Sequence, residues 1–332
     1  LADNIAFNTV SANQGPTFNV VNGSTSLQLD GLTLSGVLSG GPTGASAVVL
    51  TKSGGGVLSL TNTGNTFGGG GSIIDITAGL LAASSDGALG NSGNIIRLSG
   101  NNLGFGFRAT GTFAASHTFN LNSAAGEIEV TQGNTLTLNN AFTFASATNA
   151  LRKYDLGTLV LTSPETGWNG VMLVQQGVLR ISNGNQLGNA SSTTSSTATT
   201  GASGQTVLTP TGGTANYGVG QLVFGTGIAA DTFITAVSGT TITLSANTTG
   251  ANPTITTSAG GILMSNVGSA LELTGGATVA DGIFINASNN ATNNGINGGG
   301  AIRSTAGTNT VSGLITIATS TADGQMRAVT LR

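Results

Sequence analysis

The stretch that decides the fold is residues 52–69, "KSGGGVLSLTNTGNTFGG". A lysine and a glycine run precede a short alternating apolar strand. An Asn/Thr turn, an aromatic residue and more glycine follow it. A weaker copy, "KYDLGTLVLTSPETGWNG", occupies 153–170, so Lys153 stands 101 residues after Lys52. Short apolar alternation bounded by glycine and asparagine reads as a β-strand between tight corners. Recurrence of such a phrase marks a repeat architecture.

More phrases pair up on either side. "ITAGLLAASSDGALGN" (76–91) matches "VQQGVLRISNGNQLGN" (174–189), "IIRLSG" (95–100) matches "ALELTG" (270–275), and Phe67 aligns with Trp168. The strand at Phe18–Val20 aligns with Ile128–Val130, and Met326–Ala328 falls at that phase again. On this reading the chain holds close to two whole units and starts and stops at one phase. The spacing between copies jumps after Asn189. The organisation expected is β-solenoid over 1–189, an inserted small β module with a Ser/Thr-rich linker over 190–262, and β-solenoid again over 263–332. The insertion opens on "SSTTSSTATTGASG" (191–204), a loop-favouring composition. It then carries strands near 221–224, 233–237 and 241–245, with Gly239 in a hairpin-like turn.

Composition agrees with many short strands. Of 332 residues, 54 are glycine, 5 are proline and 6% are charged, against roughly 25% charged in an ordinary domain. Disordered chains are charged and poor in β-branched residues, which this chain is not. The net charge is −3, with no basic patch, so nucleic acid is not an expected partner. There is no cysteine, which is compatible with export. No apolar run approaches the ~18 residues of a membrane helix, so membrane insertion by this chain is not expected. A start at Leu1 and no signal peptide read as a processed product or a piece of a longer precursor.

Each strand puts apolar residues at alternate positions, as at Leu136/Leu138, Leu159/Leu161 and Leu271/Leu273. Alternation gives one buried and one exposed face, and a lone hairpin would bury too little. Stacked coils cover one another's open edges, so the fold expected is all-β, a right-handed parallel β-helix (β-solenoid) with the inserted module. Like residues then stack about 4.8 Å apart, and repeated charges of one sign would repel, which accounts for the low charge.

The phrases "LTKSGGGVLSLTNTGNTFGG" (50–69), "AGLLAASSDGALGN" (78–91) and "GGGAIRSTAGTNTVSGLITI" (298–317) resemble the autotransporter-associated β-strand repeat of bacterial passenger regions. The resemblance covers nearly the whole chain outside the insertion. It implies the right-handed β-helix, secretion and a place at the cell surface, and it brings no catalytic residues. The second copy departs from the pattern where Tyr154 and Asp155 replace glycine.

Residues with chemistry have plain alternatives. Glu127 and Glu129, at i and i+2 of one strand, are the only close carboxylates; they read as an acid/base or Ca²⁺ pair, or as a solvated outer face with Ile128 and Val130 inward. A Ser-His-Asp arrangement would need His117, the only histidine, which reads as part of a Thr/Phe strand. Calcium sites want dense oxygen ligands, and the aspartates are isolated. "GGGGS" (68–72) lacks the lysine of a phosphate loop and reads as a corner. Trp168 reads as a turn aromatic rather than a sugar platform. Lys52 and Lys153 read as surface or stem-packing residues.

No enzyme activity and no cofactor or metal is therefore expected. The leading expectation is an extracellular structural protein that self-associates head to tail into a fibre or stalk. Its candidate assembly edges are Phe18 and Val20 at one end and Met326, Ala328, Val329 and Leu331 at the other. The alternative is an adhesin for a host, cell or glycan ligand, acting through Val223, Phe224, Phe233 and Ile234 of the insertion. A polysaccharide-degrading enzyme is a third reading, with Glu127 and Glu129 as its best site.

Overall fold

Short strands arise here because apolar alternation is cut every few residues by glycine or asparagine. The computed structural model describes residues 1–8, 13–22, 31–100, 104–189, 197–214, 217–229, 232–257, 260–264, 268–286 and 299–318. Among these the chain is all-β with mostly parallel sheets, and its only helical turns are short 3₁₀ segments at Asp86–Leu89 and Gly184–Leu187. It divides into two compact units, Leu1–Ala145 with Lys153–Ser163, and Ser146–Arg152 with Pro164–Arg332.

Besides the parallel pair Ile5–Phe7 and Leu38–Gly40, the first unit has three parallel sheets, all three visited in rotation from Phe113 on. One stacks Thr17–Asn19, Val48–Ser53, Ile73–Ile76, Ile95–Leu98, Thr118–Leu121 and Thr143–Phe144. The second stacks Gly31–Leu34, Val57–Leu60, Leu80–Ala83, Gly106–Ala109 and Ala125–Val130. The third stacks Phe113–Ala115, Thr135–Leu138 and Thr158–Leu161. Parallel neighbours need a long crossover, and here each crossover supplies a strand to another sheet, and from Phe113 on to both others. One circuit takes about as many residues as separate Asn120 from Thr143, whose side chains hydrogen-bond at 2.8 Å across 23 residues of sequence. Like stacks on like inside: Leu58, Leu81, Phe107 and Ile128 occupy one register row, and all are fully buried.

The repeat and the circuit are not commensurate. Val57–Leu60 lies in the second sheet, whereas its sequence counterpart Thr158–Leu161 lies in the third. A spacing of 101 residues leaves a fraction of a turn over when the circuit takes about 23, so the second phrase arrives one sheet further round. The expected common phase fails for the same reason: Thr17–Asn19 pairs with Val48–Ser53, while Ile128 pairs with Phe107 in a different sheet. Met326, Ala328, Val329 and Leu331 lie outside the described residues.

Besides the parallel pair Thr278–Val279 and Thr310–Val311, the second unit has two parallel stacks. One is Met172–Val174, Ile262–Met264, Ile283–Asn286 and Ile315–Ala318, and the other is Gly177–Ile181, Ser269–Leu273 and Ile302–Ser304. Between Val174 and Ile262 the chain also makes a six-stranded antiparallel sheet. Its order is Val223–Phe224, Thr254–Thr257, Thr197–Thr200, Val207–Pro210, Thr241–Leu244, Ile234–Ser238. Alternate residues form its core: Leu208, Val223, Ile234, Ile242, Leu244 and Ile255, with Tyr217. Gly239, at φ 55, turns the last hairpin, a left-handed position that glycine adopts freely. Thr197–Thr200 falls in the tract read as linker; its β-branched threonines suit a strand, and composition alone hid that.

Candidate functional site

The recurring lysines are not surface residues. Lys52 and Lys153 are fully buried. Lys52 Nζ donates to the carbonyls of Ser53, Gly54 and Ala78 at 2.7–2.9 Å. Lys153 Nζ donates to those of Tyr154 and Asp155 at 2.7 and 2.6 Å. In both copies the side chain folds over the following corner and satisfies carbonyls i+1 and i+2. The corner needs a left-handed residue at i+2, which is Gly54 (φ 75) in one copy and Asp155 (φ 61) in the other. Aspartate tolerates that region better than most residues. Asp155 Oδ1 also accepts from the Leu156 N–H, and its Oδ2 meets Arg108 at 3.1 Å. Burial pushes Lys52 down to about 8 and Lys153 to about 7, the latter against the pull of Asp155 and Glu129.

The aromatic and the later "LGN" turn also recur as one device. Phe67 and Trp168 are both fully buried. The Asn91 N–H donates to the Phe67 carbonyl at 3.1 Å, and the Asn189 N–H to the Trp168 carbonyl at 2.9 Å. A methyl on Gly90 would meet Phe67, and one on Gly188 would meet Trp168. Burial removes Trp168 as a platform for sugar.

Ion pairs follow the register. Arg97 grips Asp75 through two hydrogen bonds of 3.0 and 2.7 Å, and the two residues are opposite one another on neighbouring strands. Arg108 is opposite Glu129 and 3.0 Å from it. Glu272 stands between Arg180, at 2.7 Å, and Arg303, each its register partner. Signs alternate down each stack, which turns the repulsion expected of stacked like charges into attraction. Glu272→Gln would leave two arginines flanking a neutral residue. Half-exposed Arg180 can swing out, so the expected cost is ~2 kcal/mol rather than the 3–5 of a fully buried pair. Urea unfolding with and without added salt checks this: the cost should shrink as salt screens the arginines.

Glu127 and Glu129 are not a solvated pair. Ile128 and Val130 do point inward, but Glu127 is buried too, and both its oxygens accept from the Gly104 N–H. Burial raises the Glu129 carboxyl above its ordinary value despite Arg108, and Glu127 shares a hydrogen bond with it. Carboxyls in hydrogen-bond contact lack the ~5–9.5 Å separation that glycoside hydrolysis requires. His117 stands just before the strand Thr118–Leu121 and not in it. Its Nδ1 is 2.8 Å from Asp86 Oδ1 and its Nε2 3.1 Å from the Asn91 carbonyl. Ser116 Oγ donates to Asp86 Oδ2 at 2.6 Å, so neither ring nitrogen is available to activate a serine. Burial works against the Asp86 charge, yet hydrogen bonds from Ser116 and His117 hold the carboxyl below its ordinary range.

Among the described residues, no three His, Asp or Glu side chains gather as a metal centre, and no helix is long and apolar enough to cross a membrane. The candidate interaction residues separate. Phe18 lies on the outer strand of its sheet, 6.0 Å ring to ring from Phe7, and Val20 is buried. Val223 and Ile234 belong to the core of the antiparallel sheet, and the Phe233 ring packs 6.2 Å from that of Phe284. Phe224 alone of the four is exposed, at 45%. Near the other end Ile315–Ala318 is the outermost described strand of its stack, with Leu314 72% exposed beside it. One residue that sequence reading missed is Asp281, a buried aspartate whose Oδ1 has no hydrogen-bond partner. No family model, curated protein or solved structure matches this chain.

Proposed function

We propose that the chain is a structural β-solenoid, a right-handed parallel β-helix that is secreted, stands at a cell surface, and joins head to tail into a fibre or stalk. The observation that carries the reading is the use made of its scarce polar chemistry. The ion pairs and the buried Lys52 and Lys153 bind strand to strand or corner to strand. Side chains so committed serve stacking, and catalysis would need them free. The likeness of its phrases to autotransporter-associated repeats supports export. An outer parallel strand, which among the described residues is Ile315–Ala318 with apolar Leu314 exposed beside it, is a template for a further strand, and the partner of matching chemistry is a second copy.

Negative-stain images and sedimentation over a concentration series test this. Fibres, and species that grow with concentration, are expected. A chain that stays monomeric at high concentration and shows no fibres defeats the proposal. A second reading, adhesion through the inserted sheet, has one observation in its favour: Phe224 and Val207 are exposed on it. Deleting 197–257, which spans the strands of that sheet and spares the stacked strand Ile262–Met264, should then abolish adhesion, whereas loss of polymerisation would assign the sheet to assembly.

A further inference from the structure

His117 is the only histidine of the chain, and it is buried. It enters the strand Thr118–Leu121, and both of its ring nitrogens reach back to the 3₁₀ turn Asp86–Leu89 and the residues that leave it. Nδ1 is 2.8 Å from Asp86 Oδ1, and Nε2 is 3.1 Å from the Asn91 carbonyl oxygen. These partners lie 31 and 26 residues earlier in the chain, so the ring ties one circuit to the turn of another.

The partners decide how many protons the ring holds. A carbonyl oxygen only accepts, so Nε2 must carry a hydrogen. Asp86 Oδ1 also accepts from the Ser116 N–H at 3.0 Å, and Oδ2 from Ser116 Oγ at 2.6 Å. Against the cost of burial, the bonds from Ser116 and His117 hold this carboxyl below its ordinary range. The carboxylate is therefore ionised, and Nδ1 must carry a hydrogen too. A neutral imidazole has one N–H and one lone pair. Either neutral tautomer would turn that lone pair on an oxygen 2.8 or 3.1 Å away. Among the described residues Asp86 is the one ion-pair partner of His117. The other groups that meet the pair, Asn91, Ser116 and the Asn140 amide on the Ser116 carbonyl, are uncharged. The Asp86 side chain keeps 30% of its exposure, so water still solvates the anion while the cation is buried.

We propose that His117 and Asp86 form a pH-operated clasp, in which a doubly protonated His117 fastens the Asp86–Leu89 turn to the start of Thr118–Leu121 and loss of one ring proton in alkali unfastens them. The loss leaves a buried lone pair against an acceptor, with no donor to replace the missing hydrogen. In the clasp the folded chain binds more protons at this site than the unfolded chain does. Its contribution to stability is therefore full in acid, below the ordinary histidine value of about 6.5, and is lost as the pH rises beyond it. The inference stands apart from how copies associate.

A single histidine makes the test direct. Protein labelled with nitrogen-15 at histidine alone gives one pair of ring signals, in solution or in a fibre. At about pH 7.5 an ordinary histidine is only about one-tenth charged, whereas both nitrogens of His117 should read as protonated. Asp86→Asn removes the charge and keeps an acceptor, and its ring should read as mostly neutral at the same pH. In urea unfolding the wild-type midpoint should exceed that of Asp86→Asn by a margin that shrinks between about pH 6 and 9. A neutral ring in the wild type at about pH 7.5 overturns the proposal, and that measurement needs no variant to fold. A margin that stays constant over the range overturns it as well. So does an Asp86→Asn ring that remains fully charged, since something other than Asp86 would then hold the proton.

Discussion

Replacing Trp168 by alanine should destabilise the second unit by ~4 kcal/mol, towards the upper part of the 3–5 kcal/mol range for such truncations. Three features push the cost up. The side chain is the largest of the fully buried ones. Its indole Nε1 donates to the Asn149 carbonyl at 2.7 Å. Its neighbours at Gly170 and Gly188 have no side chains that could fall into the vacated space, although a Cβ at either would touch the indole. The cavity would therefore relax little. Trp168→Phe should cost only ~1.5 kcal/mol, within the tolerance of cores for apolar exchange, because Phe67 fills the same place against Gly90 in the first copy. Urea unfolding followed by far-ultraviolet circular dichroism reads both variants, since either one removes the only tryptophan. An alanine variant within 1 kcal/mol of wild type would mean that the corner is held by its backbone bonds alone.

What was legible in the sequence was the strand alternation and the repeated phrases, because period-two patterning and corner glycines are local. The all-β character, the parallel stacks and the inward rows at Leu136/Leu138 and Leu159/Leu161 follow directly. What was not legible depends on how residues distant in sequence meet. Stacked residues such as Asn120 and Thr143 stand about 23 residues apart, an interval fixed by how strands pair and not by the repeated phrases, so aligned phrases gave the wrong phase for Phe18. Asp155 replaces the corner glycine, yet it holds the same left-handed backbone as Gly54. Glu127 alternates as an outward residue should, and it is buried because the Gly104 segment covers it. Register-matched charge could have been foreseen in part: Arg97 stands 22 residues from Asp75, close to one circuit, and opposite signs at that interval are a signal. Asp281 gave none, since its distinction is an absent donor.

Lys52 offers the sharpest test of the opening phrase, because two physical effects compete there. Burying an ammonium that has no ion pair among the described residues is costly, and by that argument Lys52→Met, which keeps the apolar stem, should be neutral or stabilising. Against it stand three carbonyl oxygens converging on Nζ. Three acceptors match the three N–H bonds of the charged form, whereas a neutral amine would turn its lone pair on one of them. The Ser53 carbonyl also accepts from the Val20 N–H and would survive the loss. The Gly54 and Ala78 carbonyls would depend on water reaching a buried corner. At ~1–3 kcal/mol for each unsatisfied group, the loss outweighs the relief of desolvation. The expected result is destabilisation of the first unit by ~1 kcal/mol, read as a lower urea midpoint at unchanged slope. The pH dependence has a definite sign. The folded pKa of about 8 lies below the ordinary lysine value of 10.5, so the unfolded chain binds more protons between those values and wild-type stability from this group rises across that window. Lys52→Met should lack that rise. A methionine variant as stable as wild type at pH 7 would show that desolvation wins, and that the lysine is kept for something other than holding the corner together.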